Sequence, residues 1–71
     1  MDNITFQAIM QDIKQQLGHD DFRIKVGLTS GNELQGSRPR LVSINVIALE
    51  TPSGRWRYIA LSAIENLIVA S

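Results

Sequence analysis

The chain reads as a mainly β protein with one N-terminal helix and five short, strongly bent strands forming a small barrel. Three observations predict this. Phe22, Ile24, Val26 and Leu28 alternate with Arg23, Lys25, Gly27 and Thr29. That period of two belongs to a strand with one buried face. Turn segments bearing glycine recur after it, at Ser30-Gly31-Asn32 and Pro52-Ser53-Gly54. Ahead of it, Phe6, Ile9 or Met10, Ile13 and Leu17 recur every three or four residues, which is one face of a helix. A helix followed by several short strands with tight turns points to a small closed barrel. Barrels of this kind bind or assemble more often than they catalyse.

The elements follow in order. Asn3 or Thr5 can cap the helix start, because a short polar side chain can accept from the free N–H groups there. Gly18 is placed to end it in a left-handed conformation. His19-Asp20-Asp21 makes a connecting turn. The first strand spans Phe22 to Thr29, and Ser30-Gly31-Asn32 supplies a hairpin whose glycine and asparagine tolerate positive φ. The second strand begins at Glu33, and Gly36 within it marks a bend or bulge. Pro39 has no N–H to donate, so Arg38-Pro39-Arg40 reads as an edge or a loop. A third strand, Leu41 to Thr51, is apolar on both faces. The fourth, Arg55 to Leu61, places Trp56, Tyr58 and Ala60 on one face. Ser62-Ala63 is a tight turn into a fifth strand, Ile64 to Val69. The expected barrel core is Val26, Leu28, Leu34, Ile44, Val46, Leu49, Ile59 and Ile68, with Phe6, Ile9, Ile13 and Leu17 packed over one end.

Seventy-one residues make one domain, residues 1–71, with the helix in 1–18 and the barrel in 22–69. A chain this short buries only about 60% of its unfolded surface, so its core alone is marginal. There is no cysteine and one histidine, His19. Disulfides, thiolate metal sites and histidine clusters are thereby excluded, and oligomerisation is the expected extra source of stability. No cofactor is expected. No basic, apolar, small-residue signal pattern opens the chain, and no apolar run approaches the roughly 18 residues of a membrane span. The expectation is a soluble, cytoplasmic protein, or a nuclear one where the source has a nucleus.

The formal net charge is zero, but it is divided. Residues 1–21 carry Lys14 against Asp2, Asp12, Asp20 and Asp21, a net of −3. Residues 22–71 carry Arg23, Lys25, Arg38, Arg40, Arg55 and Arg57 against Glu33, Glu50 and Glu65, a net of +3. A basic barrel suits phosphate contacts; six solvated side chains that keep a small domain in solution are the plainer account.

The chemistry points away from catalysis. No nucleophile–base pair can be assembled around the single imidazole, and no two carboxylates share a face at acid–base spacing. The segment Gly31 to Gly36 lacks the Lys-Ser/Thr of a phosphate loop. Two polar clusters remain: Arg38 and Arg40 flanking Pro39, and Arg55-Trp56-Arg57-Tyr58 after the turn at Gly54. Guanidinium groups hold phosphate bidentately and aromatic rings stack on bases, so this interleaving suits single-stranded RNA or DNA. Trp56 and Tyr58 equally suit core or inter-subunit packing, and the arginines a solvated rim. Asn45 carries an amide able to read a base edge, or to bond a neighbouring loop.

The order and spacing of residues 4 to 69 resemble the Sm/LSm family, Hfq-like members included. Val26-Gly27-Leu28-Thr29-Ser30-Gly31-Asn32-Glu33-Leu34-Gln35-Gly36 looks like its first two strands. Ile44-Asn45-Val46-Ile47-Ala48-Leu49 is similar to the asparagine and apolar run of its third. Ile59-Ala60-Leu61-Ser62-Ala63-Ile64 is similar to its second motif, where two strands meet across a tight turn. The chain departs from the family pattern in three places. Leu41 replaces an aspartate, Ser43 and Ile44 stand where a base-stacking residue is usual, and Ala60 and Leu61 replace RNA-contacting residues. The resemblance implies a barrel open at strands four and five. These strands would pair between copies to close a homo-oligomeric ring, burying the Ile59, Leu61, Ile64 and Leu67 region. It also implies binding of single-stranded RNA; on the charge split and the Arg–aromatic interleaving, Arg38, Arg40, Arg55 and Arg57 are expected on phosphates beside Trp56, with Asn45 reading a base. The other expectation is a structural or protein-interaction subunit of the same fold that has lost the RNA site.

Overall fold

The computed structural model describes residues 1–70. Its helix, α1, spans Asn3–Leu17. The cap is Asp2 rather than Asn3 or Thr5: its Oδ1 accepts the Thr5 N–H at 2.7 Å, and a carboxylate at that end also suits the helix dipole. Asn3 is instead the first helical residue, and its Nδ2 donates to the Ile44 carbonyl at 3.0 Å. Gly18 ends α1 at φ 78°, its N–H donating to the Lys14 carbonyl. Phe6 and Ile13 are buried and Ile9 half-buried, as the helical spacing predicts. Leu17, in the last turn of α1, is 37% exposed and lies outside the buried core.

Five strands follow: β1 Arg23–Leu28, β2 Glu33–Ser43, β3 Val46–Glu50, β4 Trp56–Ala60 and β5 Ile64–Ala70. They form one antiparallel sheet in the order β4-β3-β2-β1-β5. Among the described residues β4 does not pair with β5, so the sheet is open at the two strands where the family resemblance leaves it open, and is not the closed barrel that the turn pattern alone suggests. The helix packs onto its inward face. No helix among the described residues is long and apolar enough to cross a membrane.

Strand β2 differs most from expectation. It runs through Arg38-Pro39-Arg40 without breaking and takes in Leu41 to Ser43, which the apolar pattern places in the third strand. Proline is tolerated in this central strand because it falls in a bulge. Ser37 faces Glu50 while Arg40 faces Ala48, which leaves one extra residue on β2. Arg38, in the bulge, adopts φ 51°, and its N–H turns to the Phe22 carbonyl at 3.4 Å. A second irregularity lies between Leu41 and Ser43. Two bulges so close together bend the strand sharply.

The β2–β3 connection is a two-residue turn at Ile44-Asn45, inside what read as one continuous strand. Ile44 is therefore 73% exposed rather than in the core. Ile68 is also outside the core: Leu67 pairs with inward Val26, so Ile68, beside Lys25, faces out. The observed core gathers Phe6, Ile13 and Phe22 with Ile24, Val26, Ile47, Leu49, Ile59, Leu61 and Ile64. Ile59, Leu61 and Ile64 are thus buried within a single chain and need no neighbour to cover them. The tight turn between β4 and β5 is a 3₁₀ turn, Leu61–Ala63. It is pinned at both ends: the Leu61 N–H donates to the Asn45 carbonyl, and the Ala63 carbonyl accepts the Thr29 N–H, each at 2.9 Å.

Candidate nucleic-acid interface

Cross-strand register decides which side chains share a face. Inward pairs are Ile47 with Ile59 and Ile47 with Leu41; outward pairs are Ala48 with Tyr58, Ala48 with Arg40, and Glu50 with Trp56. Arg40, Ala48, Glu50, Trp56 and Tyr58 therefore share the outward face of β2, β3 and β4. There the Arg40 guanidinium lies over the Trp56 ring, 4.9 Å from its centroid. A cation so placed is attracted by the ring quadrupole. Ala48 is fully buried although it points outward, because its larger neighbours rise on either side.

The other predicted residues are distributed around this pair. Arg38 is held between two carboxylates, Asp21 at 3.5 Å and Glu50 at 3.4 Å. Its charge is already matched, and a phosphate reaching it must share or displace one of them. Arg55 is exposed at the end of the β3–β4 turn, its N–H donating to Thr51 Oγ1 at 3.3 Å. Arg57 is exposed on the inward side of β4, opposite Leu49, and so on the other face from Trp56. Asn45 lies at the far end of β3, about 16 Å along the strand from the Trp56 register position. Its Oδ1 accepts from Ser43 Oγ at 3.2 Å. The structure thus brings Arg40 and Trp56 together, leaves Arg55 and Arg57 flanking them in sequence, and places Asn45 apart. Tyr58 shares this face although the sequence expectation names only Trp56 as a binding aromatic. Its two-residue offset from Trp56 along a strand is the signal that puts it on the same face.

A groove of about 480 Å³ lies between α1 and β2, floored by Phe6, Met10, Phe22 and Leu41. The charged groups at its rim include Lys14 and Asp20, which face each other at 3.9 Å in the open. Among the described residues no three His, Cys, Asp or Glu side chains are grouped to hold a metal ion. No protein-family model, curated protein or solved structure matches the chain.

Proposed function

We propose that the chain is an Sm-like subunit that pairs through its β4 and β5 edges into a ring and binds single-stranded nucleic acid, RNA or DNA. The observation that carries the binding half is the Arg40–Trp56 pair on the outward face, with Arg55 just before β4 and Arg57 on its other side flanking Trp56 in sequence. Support for assembly comes from the sheet order, which leaves β4 and β5 as the two outer strands. Unpaired edges seek partners, and a β4-to-β5 contact is heterologous, so it closes into a ring when the rotation allows. Such pairing would bring exposed Ile68 of one copy beside β4 of the next. A ring repeats each arginine around its axis, so weak contacts add through avidity.

Light scattering on the full chain is expected to give a discrete oligomer at micromolar concentration; a well-behaved monomer would overturn the assembly half. Anisotropy with uridine- and adenine-rich oligomers tests the binding half. Affinity is expected to fall by about 0.7 log unit per log unit of salt for each phosphate neutralised. Charge-neutral substitution of Arg40, Arg55 and Arg57 reduces that slope. Absence of binding at about 50 mM salt, where such contacts are strong, favours the second reading, an interaction subunit of the same fold. The observation on that side is the pair of exposed apolar residues Val42, at the end of β2, and Ile44, in the turn after it, with Arg38 neutralised by its two carboxylates.

A further inference from the structure

We infer that the outward face of β4 is a stacking platform for two consecutive, unstacked bases of a single strand, one on Trp56 and one on Tyr58, with Arg40 fixing the first ring. The inference rests on the nucleic-acid reading above and assigns it a place and a mode. Trp56 is 39% exposed and Tyr58 62% exposed, in a protein whose other two aromatic rings outside histidine, Phe6 and Phe22, are buried. The two exposed rings stand side by side over a low floor, since their outward neighbours include Ala48 and Ala60. Beyond β4 there is no further strand among the described residues, so the platform is open from the side. Pairing of the β4 edge with another copy would use its backbone N–H and C=O groups and leave the outward side chains free.

Charge selects the occupant. Arg40, Arg55 and Arg57 have no carboxylate within salt-bridge distance among the described residues. The acid that faces the rings directly, Glu50 opposite Trp56, is tied to Arg38 at 3.4 Å. An apolar peptide would gain nothing from the Arg40 guanidinium beside two exposed rings with two more arginines close by in the chain, whereas a polyanion with flat faces uses both features. Spacing selects the form. Residues two apart on a strand sit about 6.7 Å apart, roughly twice the 3.4 Å per nucleotide of a stacked strand. Consecutive bases can lie on the two rings only when pulled out of their own stack, which a duplex does not allow.

The chain has a single tryptophan, so its emission reports on this site alone. The full-length protein is titrated with four probes of about 12 nucleotides, a length within known single-strand site sizes: oligouridylate, oligoadenylate, a duplex, and an abasic strand of equal charge. Binding is followed in parallel by anisotropy and by Trp56 emission. The two base-bearing single strands are expected to quench Trp56 strongly; the abasic strand binds more weakly without quenching, and the duplex does neither well. Tyr58→Ala is expected to weaken oligouridylate binding about 5- to 150-fold, the worth of one stacked base, and Tyr58→Phe to restore it. Tyr58 is exposed, so both variants are expected to fold, with circular dichroism as the check. Binding by anisotropy with Trp56 unquenched and Tyr58→Ala unchanged overturns the platform and leaves the nucleic-acid reading standing. No binding by any strand overturns that reading itself. Trp56 shielded from acrylamide in the oligomer without nucleic acid makes the face a subunit contact and also overturns the platform.

Discussion

A single methyl group at Gly36 is expected to be felt through the whole domain. Gly36 lies on the inward face of β2, opposite Ile24, where β3 passes very close. A Cβ at this position would sit 2.9 Å from Leu49 Cβ and 3.0 Å from the Glu50 carbonyl oxygen. Neither atom can swing aside, since one is backbone and the other is bonded to it, so β3 must shift as a unit. The Gly36 φ is not left-handed, so alanine incurs no backbone strain there. The stiffer unfolded chain contributes about 0.4–1 kcal/mol in favour of alanine. Overpacking costs about 1–3 kcal/mol. Mid-range values leave Gly36→Ala less stable by about 1.3 kcal/mol, which in a domain of this size lowers Tm by about 5–10 °C. Gly27→Ala is the matched control. Its Cβ would lie even closer to a neighbour, 2.6 Å from Asn66 Oδ1, but that atom ends an exposed side chain that can rotate away. Its Tm is expected within about 3 °C of wild type. Thermal melts followed by far-ultraviolet circular dichroism measure both. Gly36→Ala melting at or above wild type, or Gly27→Ala falling as far, would refute the close β2–β3 approach.

Two further outcomes are expected. Ile47→Ala, at a fully buried position, lowers stability by about 2–5 kcal/mol, while Ile44→Ala, on the exposed turn, stays within about 0.5 kcal/mol; urea titration reads both, and equal losses would restore Ile44 to the core. The Thr5 N–H holds the Asp2 carboxyl below its ordinary value, so the cap's contribution is full above the ordinary Asp value of about 3.9 and is lost as pH falls through the lowered one. Asp2→Ala is expected to lower Tm at neutral pH, with the gap to wild type closing in acid; a constant gap would mean that the charge plays no part.

The outline of the fold was legible because its signals were local and periodic. The inward alternation of Ile24 and Val26, the spacing of Phe6 and Ile13, and the turns at Gly31 and Gly54 all act within a few residues. The misreadings came where two rules competed. Pro39 signals a break, yet a bulge absorbs it and β2 continues. Ile44 belongs to an unbroken apolar run, and nothing in composition marks a two-residue turn inside it. Leu41 likewise belongs to β2 although it reads as the start of a new strand. Ile68 required knowing that Leu67 pairs with Val26, a register fixed by residues distant in sequence. At the candidate site, the Trp56–Tyr58 face followed from strand period, whereas the neutralisation of Arg38 by Asp21 and Glu50 depends on three separate elements meeting.

The sheet order also governs how the chain can fold. Strands β1 to β4 form a run of neighbours in sequence, but β1 has its other flank filled by β5, with Leu28 meeting Ile64 and Arg23 meeting Ala70. Those partners lie about 40 residues apart, so closing that pair costs about 1.7 kcal/mol more in chain entropy than closing a six-residue turn. The meander can assemble first and β5 docks late, so Ile24 and Val26 wait with one strand edge bare. The step that completes this sheet is therefore the one most exposed to competition from another chain, and folding yield becomes a function of protein concentration.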